Sequence, residues 1–381
     1  MKPFSPLFFL LFSTAVFAQN SQELNKQLTE KYLTEESKTT KDLKVVVVTY
    51  DGCRWQEIFR GADKKFEKRL RKDDKLDTAF VRKITTGSHE EKRKALSPFM
   101  WTTVAQNGII LGNSDAGNTL HLANPYLMSY PGYSELYSGY VNLKVNRNSF
   151  PENPNLNIFD ALKTDSSFAN SMVVFSNWDA FPKILNTYRN KIPMFCNYVS
   201  NDTINAATNT FGVSKFSTNY PHVSPFSEKD TTVYHSAKEY IVKKHPKATV
   251  ISFDETDHFA HYGKLSSYIM AVYQCDQFMQ DLWNTLQADS FYKDQTILVM
   301  TCDHGRGNAV GGGWKHHGKF LPASRNTWFA AIGPNVNAKG ESKEVTIHYH
   351  NQIAATILQL LGKDYENPDH KVGKPIKEVI K

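Results

Sequence analysis

Residues 296–305 read Thr296-Ile297-Leu298-Val299-Met300-Thr301-Cys302-Asp303-His304-Gly305. An apolar, β-branched run leading into a carboxylate, an imidazole and a glycine describes a buried strand that ends at a polar site. An ionisable pair in that place is costly unless something binds it. The arrangement recurs along the chain. Val45-Val46-Val47-Val48 runs into Asp51, and Val250-Ile251-Ser252-Phe253 runs into Asp254, Asp257, His258 and His261. His316-His317-Gly318 follows the Asp303–His304 pair. Four stations of carboxylate and imidazole, three of them at strand ends, predict a two-metal hydrolytic site.

The same runs predict the fold. Short β-branched or aromatic segments at 44–50, 107–112, 171–175, 248–253, 296–302 and 327–332 read as strands. Residues 264–287 read as a helix, with Leu265, Ile269, Val272, Phe278, Leu282 and Leu286 at helical spacing. Residues 351–361 read as another, stopped by Gly362. Strands alternating with helices give an α/β class, with a mostly parallel central sheet and helices on both faces. Ligands then belong at the carboxyl ends of the strands, where the acidic and histidine stations fall. Residues 44–381 form a single catalytic domain in this reading. The Asn-, Thr-, Ser-, Pro- and Tyr-rich stretch 186–236 fits the alternation poorly and is expected to be a small cap insertion or a long loop.

The first 18 residues read as a signal peptide. Lys2 supplies its charge, Leu7–Phe12 its short apolar core, and Val16-Phe17-Ala18 a cleavage site before Gln19. Residues 19–43 are polar and read as a linker or surface helix. The expectation is a periplasmic or secreted protein with no membrane span in the mature chain. The net charge of +7 is scattered. Its runs, Lys64-Lys65 and Lys68-Arg69-Leu70-Arg71-Lys72, read as a solvated helix face in preference to a basic face that attracts anionic substrates. Nothing resembles a nucleic-acid module. The four cysteines are too few for a disulfide scaffold in 381 residues. Cys53 and Cys302 lie beside candidate ligands and read as small buried hydrophobes, with a bridge between them as the alternative.

Hydrolysis through a covalent step needs a nucleophile, and the best candidate is Ser129. It precedes Tyr130-Pro131-Gly132, a tight-turn sequence that can present a hydroxyl at a helix N-terminus, where backbone N–H groups favour an anion. Metal coordination activates such a hydroxyl without a general base. A plain N-cap role would fit the same position. Ser134, beside Glu135, is the competing hydroxyl.

In the order Asp51, Ser129, Asp-x-x-x-His, Asp303-His304, His317, the chain resembles the alkaline-phosphatase superfamily over roughly residues 44–362. The surroundings of Ser129 are similar to those of the nucleotide pyrophosphatase/phosphodiesterases, which place a threonine there. Cofactor-independent phosphoglycerate mutases use a serine. The resemblance implies one metal held by Asp51, Asp303 and His304, which would activate Ser129. It implies a second held by an Asp, a His four residues on, and His317. Both Asp254/His258 and Asp257/His261 have that spacing. Asp257-His258-Phe259-Ala260-His261-Tyr262-Gly263 better matches the mutase-like Asp-x-x-Gly-His-x-Gly, so Asp257 and His261 are preferred. His258, Lys315 and His316 are left as candidate substrate contacts. Sulfatases of the superfamily convert a Cys or Ser within Cys/Ser-x-Pro-x-Arg to formylglycine; Tyr133 stands where that Arg belongs.

These readings converge on an exported phosphate-ester hydrolase, a phosphatase or phosphodiesterase, with Ser129 as nucleophile. Its expected cofactors are two divalent ions, zinc by ligand type with manganese as the alternative. Its expected partner is a small anionic ester. A sulfate- or phosphonate-ester hydrolase is the alternative enzyme, and a non-catalytic binding protein on this fold the alternative class.

Overall fold

A computed structural model describes residues 42–73, 76–196, 213–214, 229–367 and 370–381. The expected signal peptide and nearly all of the 19–43 linker lie outside the described residues. Contacts divide the chain after Asp42, and the fold is that of the unit Leu43–Lys381.

Twelve strands form among the described residues. They are β1 (Lys44–Tyr50), β2 (Gly108–Leu111), β3 (Asn118–His121), β4 (Met172–Ser176), β5 (Met194–Cys196) and β6 (Val213–Ser214). Then come β7 (Ala248–Phe253), β8 (Thr296–Thr301), β9 (Asn326–Thr327), β10 (Phe329–Ile332), β11 (Gly340–Glu341) and β12 (Thr346–Tyr349). Nine make one sheet in the order β11-β2-β10-β8-β1-β7-β4-β5-β6. All its pairings are parallel except the two that β10 makes with β2 and β8. Strands β12, β3 and β9 form a separate small sheet.

Every residue of β1, β7 and β8 is buried. A sheet covered on both faces requires this, and the valine-rich runs are suited to it. The two-residue period of a strand sorts their side chains. Val46, Val48 and Tyr50 enter one core, with helices α1 (Trp55–Arg60), α4 (Glu255–His261) and α5 (Leu265–Ala288). Val45 and Val47 enter the other, with α2 (Ser129–Ser138) and α6 (Ile353–Leu360). Helix α3 (Lys229–Lys244) covers the first face further along the sheet.

The region 186–236 resolves into unlike parts. Residues 194–196 and 213–214 are strands at the edge of the main sheet, and 229–236 begin α3. Residues 197–212 and 215–228 lie outside the described residues. All four cysteines are buried and free.

Register places the site. Tyr50 pairs with Phe253 and Thr49 with Thr301, so Asp51, Asp254 and Asp303 emerge at one end of three adjacent parallel strands. Helix α4 begins there and brings Asp257 and His261 one turn further out.

Candidate metal centre and active site

Asp51 leaves β1 with its N–H still bonded to the Phe253 carbonyl at 2.9 Å, and the Thr256 hydroxyl donates to the Asp51 carbonyl. Gly52 follows at φ +58°, and its N–H donates to Asp303 Oδ1 at 2.9 Å. A Cβ at Gly52 would lie 2.6 Å from Asp257 Oδ1 and 2.7 Å from Arg306 Nη1, so only glycine lets β1 turn this close to those two side chains. Asp51 and Asp303 are 3% and 0% exposed, yet Asp51 Oδ1 and Asp303 Oδ2 have no hydrogen-bond partner among the described residues. Orphaned buried carboxylate oxygens are rare and call for an explanation.

His304 supplies the third donor. Its Nδ1 donates to the Gly305 carbonyl at 2.9 Å, which fixes the tautomer and leaves the Nε2 lone pair facing the carboxylates. That Nε2 lies 3.5 Å from Asp303 Oδ2 and 3.6 Å from Asp51 Oδ1. The donor atoms of Asp51, Asp303 and His304 all lie within 4.8 Å of one another.

Asp257, His261 and His317 form a second such group. His317 Nδ1 donates to the Leu127 carbonyl at 3.2 Å, so its Nε2 is also a free lone pair. It faces His261 Nε2 at 2.9 Å, and that atom lies 3.1 Å from Asp257 Oδ2. The rings of His304 and His317 stack with centroids 3.9 Å apart, so the two groups are contiguous. Asp254 and His258 belong to neither group. The Asp254 N–H donates to Asp230 Oδ1, and the His258 ring packs on Tyr262 at 4.8 Å.

Ser129 lies at the first position of α2, its side chain 4% exposed, with Oγ 3.1 Å from His304 Nε2. Met128 is the N-cap, so Ser129 is not the cap residue. Tyr130-Pro131-Gly132 is not a turn but the first turn of this helix, where Pro131 forfeits no helical hydrogen bond. Gly132 is needed for contact: a Cβ there would lie 2.4 Å from the Asp303 carbonyl oxygen. The competing hydroxyl, Ser134, is turned into the protein, accepting from Asn153 Nδ2 at 2.9 Å and Asn155 Nδ2 at 3.2 Å. Glu135 accepts from the Ala123 and Asn124 N–H groups. Tyr133 is fully buried, edge-on to Phe181.

Charge in this cluster is out of balance. Burial, then the neighbouring Asp303 and Asp257, push the Asp51 carboxyl well above its ordinary range. Burial does the same to Asp303, against the Gly52 N–H. Burial also holds His304 well below the usual imidazole value and His317 down at about 4. Asp257 goes the other way: burial would raise it, but the Arg306 guanidinium, then His261, hold it well below the carboxylate range. Neutral imidazoles and crowded carboxylates with inward lone pairs are a donor set that divalent cations complete, so these residues fit a pair of metal ions.

Arg306 is a member of the site that the sequence pattern does not single out. It is 1% exposed, contacts Asp257 Oδ1, and donates to the Trp314 and Lys315 carbonyls at 2.7 and 2.5 Å. It thus ties the Asp257 carboxylate to the segment that carries His317. Its signal was available: a cation directly after Asp-His-Gly, within a glycine-rich stretch that offers it no solvated helix face. The Lys315 side chain passes close to Gly263 and Gly312, and His316 is exposed.

The sulfatase family model matches residues 131–363, more than half of the chain. This protein belongs to the sulfatase family. Among solved structures, the alkaline phosphatase PafA superposes with a TM-score of 0.55 at 12% identity, covering 89% of this chain and 99% of that one. A 2-O GAG sulfatase, BT1596, gives 0.53 at 12%, covering 88% and 73%. The phosphonate monoester hydrolase of Agrobacterium radiobacter gives 0.52 at 14%, covering 88% and 76%. At such identities the likeness concerns the fold, which is the alkaline-phosphatase-like α/β fold. No curated protein matches the sequence. This sulfatase-family chain is a hydrolase of the alkaline-phosphatase superfamily, a metal-dependent group. Among the described residues no helix is long and apolar enough to cross a membrane.

Proposed function

We propose that this protein hydrolyses phosphate esters through Ser129. The observation that carries the reading is the convergence of the Ser129 hydroxyl, at a helix N-terminus, with His304 Nε2 and the unpartnered oxygens of Asp51 and Asp303. Asp51, Asp303 and His304 would hold one divalent cation, and Asp257, His261 and His317 another. Zinc suits the mixed imidazole and carboxylate donors, and when bound the pair supplies Lewis-acid charge for developing negative oxygens. Ser129 Oγ attacks phosphorus, the ester oxygen leaves, and water then releases phosphate from the phosphoseryl ester. The dipole of α2 points its positive end at the same place and favours the transferring anion.

Formylglycine chemistry is disfavoured by the residues around Ser129. The expected arginine is Tyr133, which is packed into the core with its hydroxyl 3.2 Å from Ser252 Oγ. A serine that stays a serine suits phosphoryl transfer. Sulfate-ester hydrolysis is the second reading, favoured by the family model itself. Export, read from residues 1–18, remains part of the proposal.

Metal analysis combined with p-nitrophenyl phosphate, bis-p-nitrophenyl phosphate, p-nitrophenyl sulfate and p-nitrophenyl phenylphosphonate tests the reading. Expected are about two divalent ions per chain, fastest turnover of a phosphate ester, and loss of activity on chelation. Ser129→Ala should keep its metals and lose roughly 10²-fold or more in kcat, because nucleophile and metals act as a unit. Ser129→Thr should retain part of it. Wild-type rates in Ser129→Ala, or sulfate preferred over every phosphate, would overturn the proposal.

A further inference from the structure

Just past the ligand helix α4 lies a cavity of about 490 Å³, lined by Arg69, Lys72, Asp73, Gly263, Lys264, Leu265, Ser266 and Ser267. Three of these side chains are cationic and one is a carboxylate. Arg69 and Lys72 belong to the basic run that the sequence alone left as a solvated face. Folding carries that run to the start of α5, a 24-residue helix with no acidic residue in its first turn and no side-chain cap. The Leu265 N–H donates to the Gly263 carbonyl at 3.1 Å, and the amides that follow in the first turn leave the positive end of the helix dipole at the cavity.

Ser266 supplies an independent sign of a ligand. It is 9% exposed, lines the cavity, and its hydroxyl has no hydrogen-bond partner among the described residues. An unpartnered hydroxyl on a largely buried side chain, lining the same cavity as two lysines and a helix N-terminus, is a donor open to an acceptor there. Lys72 and Lys264 make no salt bridge among the described residues, and Lys264 Nζ lies 6.0 Å from the Tyr262 ring centroid. Arg69 donates to the Gly263 carbonyl, which holds the rim in place.

The cavity adjoins the metal centre. Gly263 is two residues beyond His261, a step of at most about 7 Å between α-carbons. The Lys315 side chain, two residues before His317, lies across Gly263, 3.2 Å from where a Cβ would be. Cations therefore run from Lys315 past Gly263 to Arg69, Lys264 and Lys72.

We propose that this cavity is a subsite for a second anionic group, a phosphate or sulfate, on the substrate whose ester is cleaved at Ser129. The substrate class is then a multiply phosphorylated or sulfated molecule. The proposal rests on the reading of the metal centre as a phosphate-ester hydrolase site. The Lys72 and Lys264 ammonium groups, the Ser266 hydroxyl and the first turn of α5 would hold the distal anion.

Calorimetry on the metal-replete Ser129→Ala protein tests it, with hexane-1,6-diol bisphosphate, hexyl phosphate and inorganic phosphate as probes. The bisphosphate should bind at least tenfold more tightly than hexyl phosphate. Lys72→Met with Lys264→Met should erase that advantage, and Ser266→Ala should reduce it. In the Ser129 parent the same lysine changes should leave kcat and KM for p-nitrophenyl phosphate unaltered. Equal binding of bisphosphate and hexyl phosphate, or an advantage that survives the double change, would overturn the subsite. Inorganic phosphate binding to the cavity as tightly as the bisphosphate would also sink the proposal, since it would mark an effector site. Failure of the metal-centre reading shows separately, as absence of p-nitrophenyl phosphate turnover in the parent.

Discussion

At the scale of single residues, the candidate site was legible because its chemistry is expensive. Asp51, Asp303 and His304 stand out in the chain as ionisable groups at the ends of apolar runs, and the fold brings them together. The choice between Asp254/His258 and Asp257/His261 is a matter of helix phase, since each pair is four apart on one face. The phase of α4 turns Asp257 and His261 to His317 and His258 to Tyr262. His261→Ala is expected to lose about one metal ion and most turnover while His258→Ala keeps both; elemental analysis with kinetics checks this, and the opposite ranking would move the ligands three residues back. Arg306 was hidden because a lone arginine in sequence reads as surface. Arg306→Met would take from the Asp257 carboxylate its closest cation and is expected to lower stability. It should also weaken the metal held by Asp257, His261 and His317 by roughly 10–100-fold. Denaturant titration and metal titration measure the two effects; unchanged metal affinity would mean that Arg306 merely fills space.

At the scale of elements, strands β1, β7 and β8 were legible because burial on both faces demands unbroken apolar runs. The small sheet of β3, β9 and β12 was not. Thr346–Tyr349 alternates half-buried and exposed residues, and Asn326–Thr327 is too short to carry a pattern. The sequence reading put Ser129 at a helix N-terminus but took Tyr130-Pro131-Gly132 for a tight turn, because proline and glycine mark a turn as readily as a first helical turn. The helix forms since its cost there is low and Gly132 allows contact with Asp303. Gly132→Ala tests that account. The added methyl meets backbone, not a flexible side chain, so α2 must shift, at about 1–3 kcal/mol of stability. Turnover should fall further than stability does, since Ser129 moves with the helix. Ser134→Ala, which leaves the Asn153 and Asn155 amide groups without their shared acceptor, should cost stability and spare turnover. Equal effects of the two changes on kcat would detach the helix position from catalysis.

At the scale of the whole molecule, folding buries a histidine, His350, beside the strand end that carries Asp303. It is fully buried, with Nε2 donating to the Cys302 carbonyl at 2.7 Å, one residue before Asp303. Burial holds its pKa down at about 4, so the folded protein keeps it neutral. The unfolded chain protonates it near the ordinary value of about 6.5. Between these two values the unfolded state binds more protons, so stability must rise with pH across that window. The contribution is fully present above about pH 6.5 and is lost as pH falls towards 4, amounting to roughly 3 kcal/mol over the window. The metal-centre histidines titrate in the same direction, so the wild-type slope alone cannot isolate His350. His350→Gln can, since the amide still donates to Cys302 but takes up no proton. The variant is expected to lose some stability at pH 8 and to lose less than the wild type on going to pH 4.5, by about 2–3 kcal/mol. Guanidinium denaturation of the two proteins at both pH values measures the difference, and parallel losses would show that His350 is protonated in the folded state as readily as in the unfolded chain.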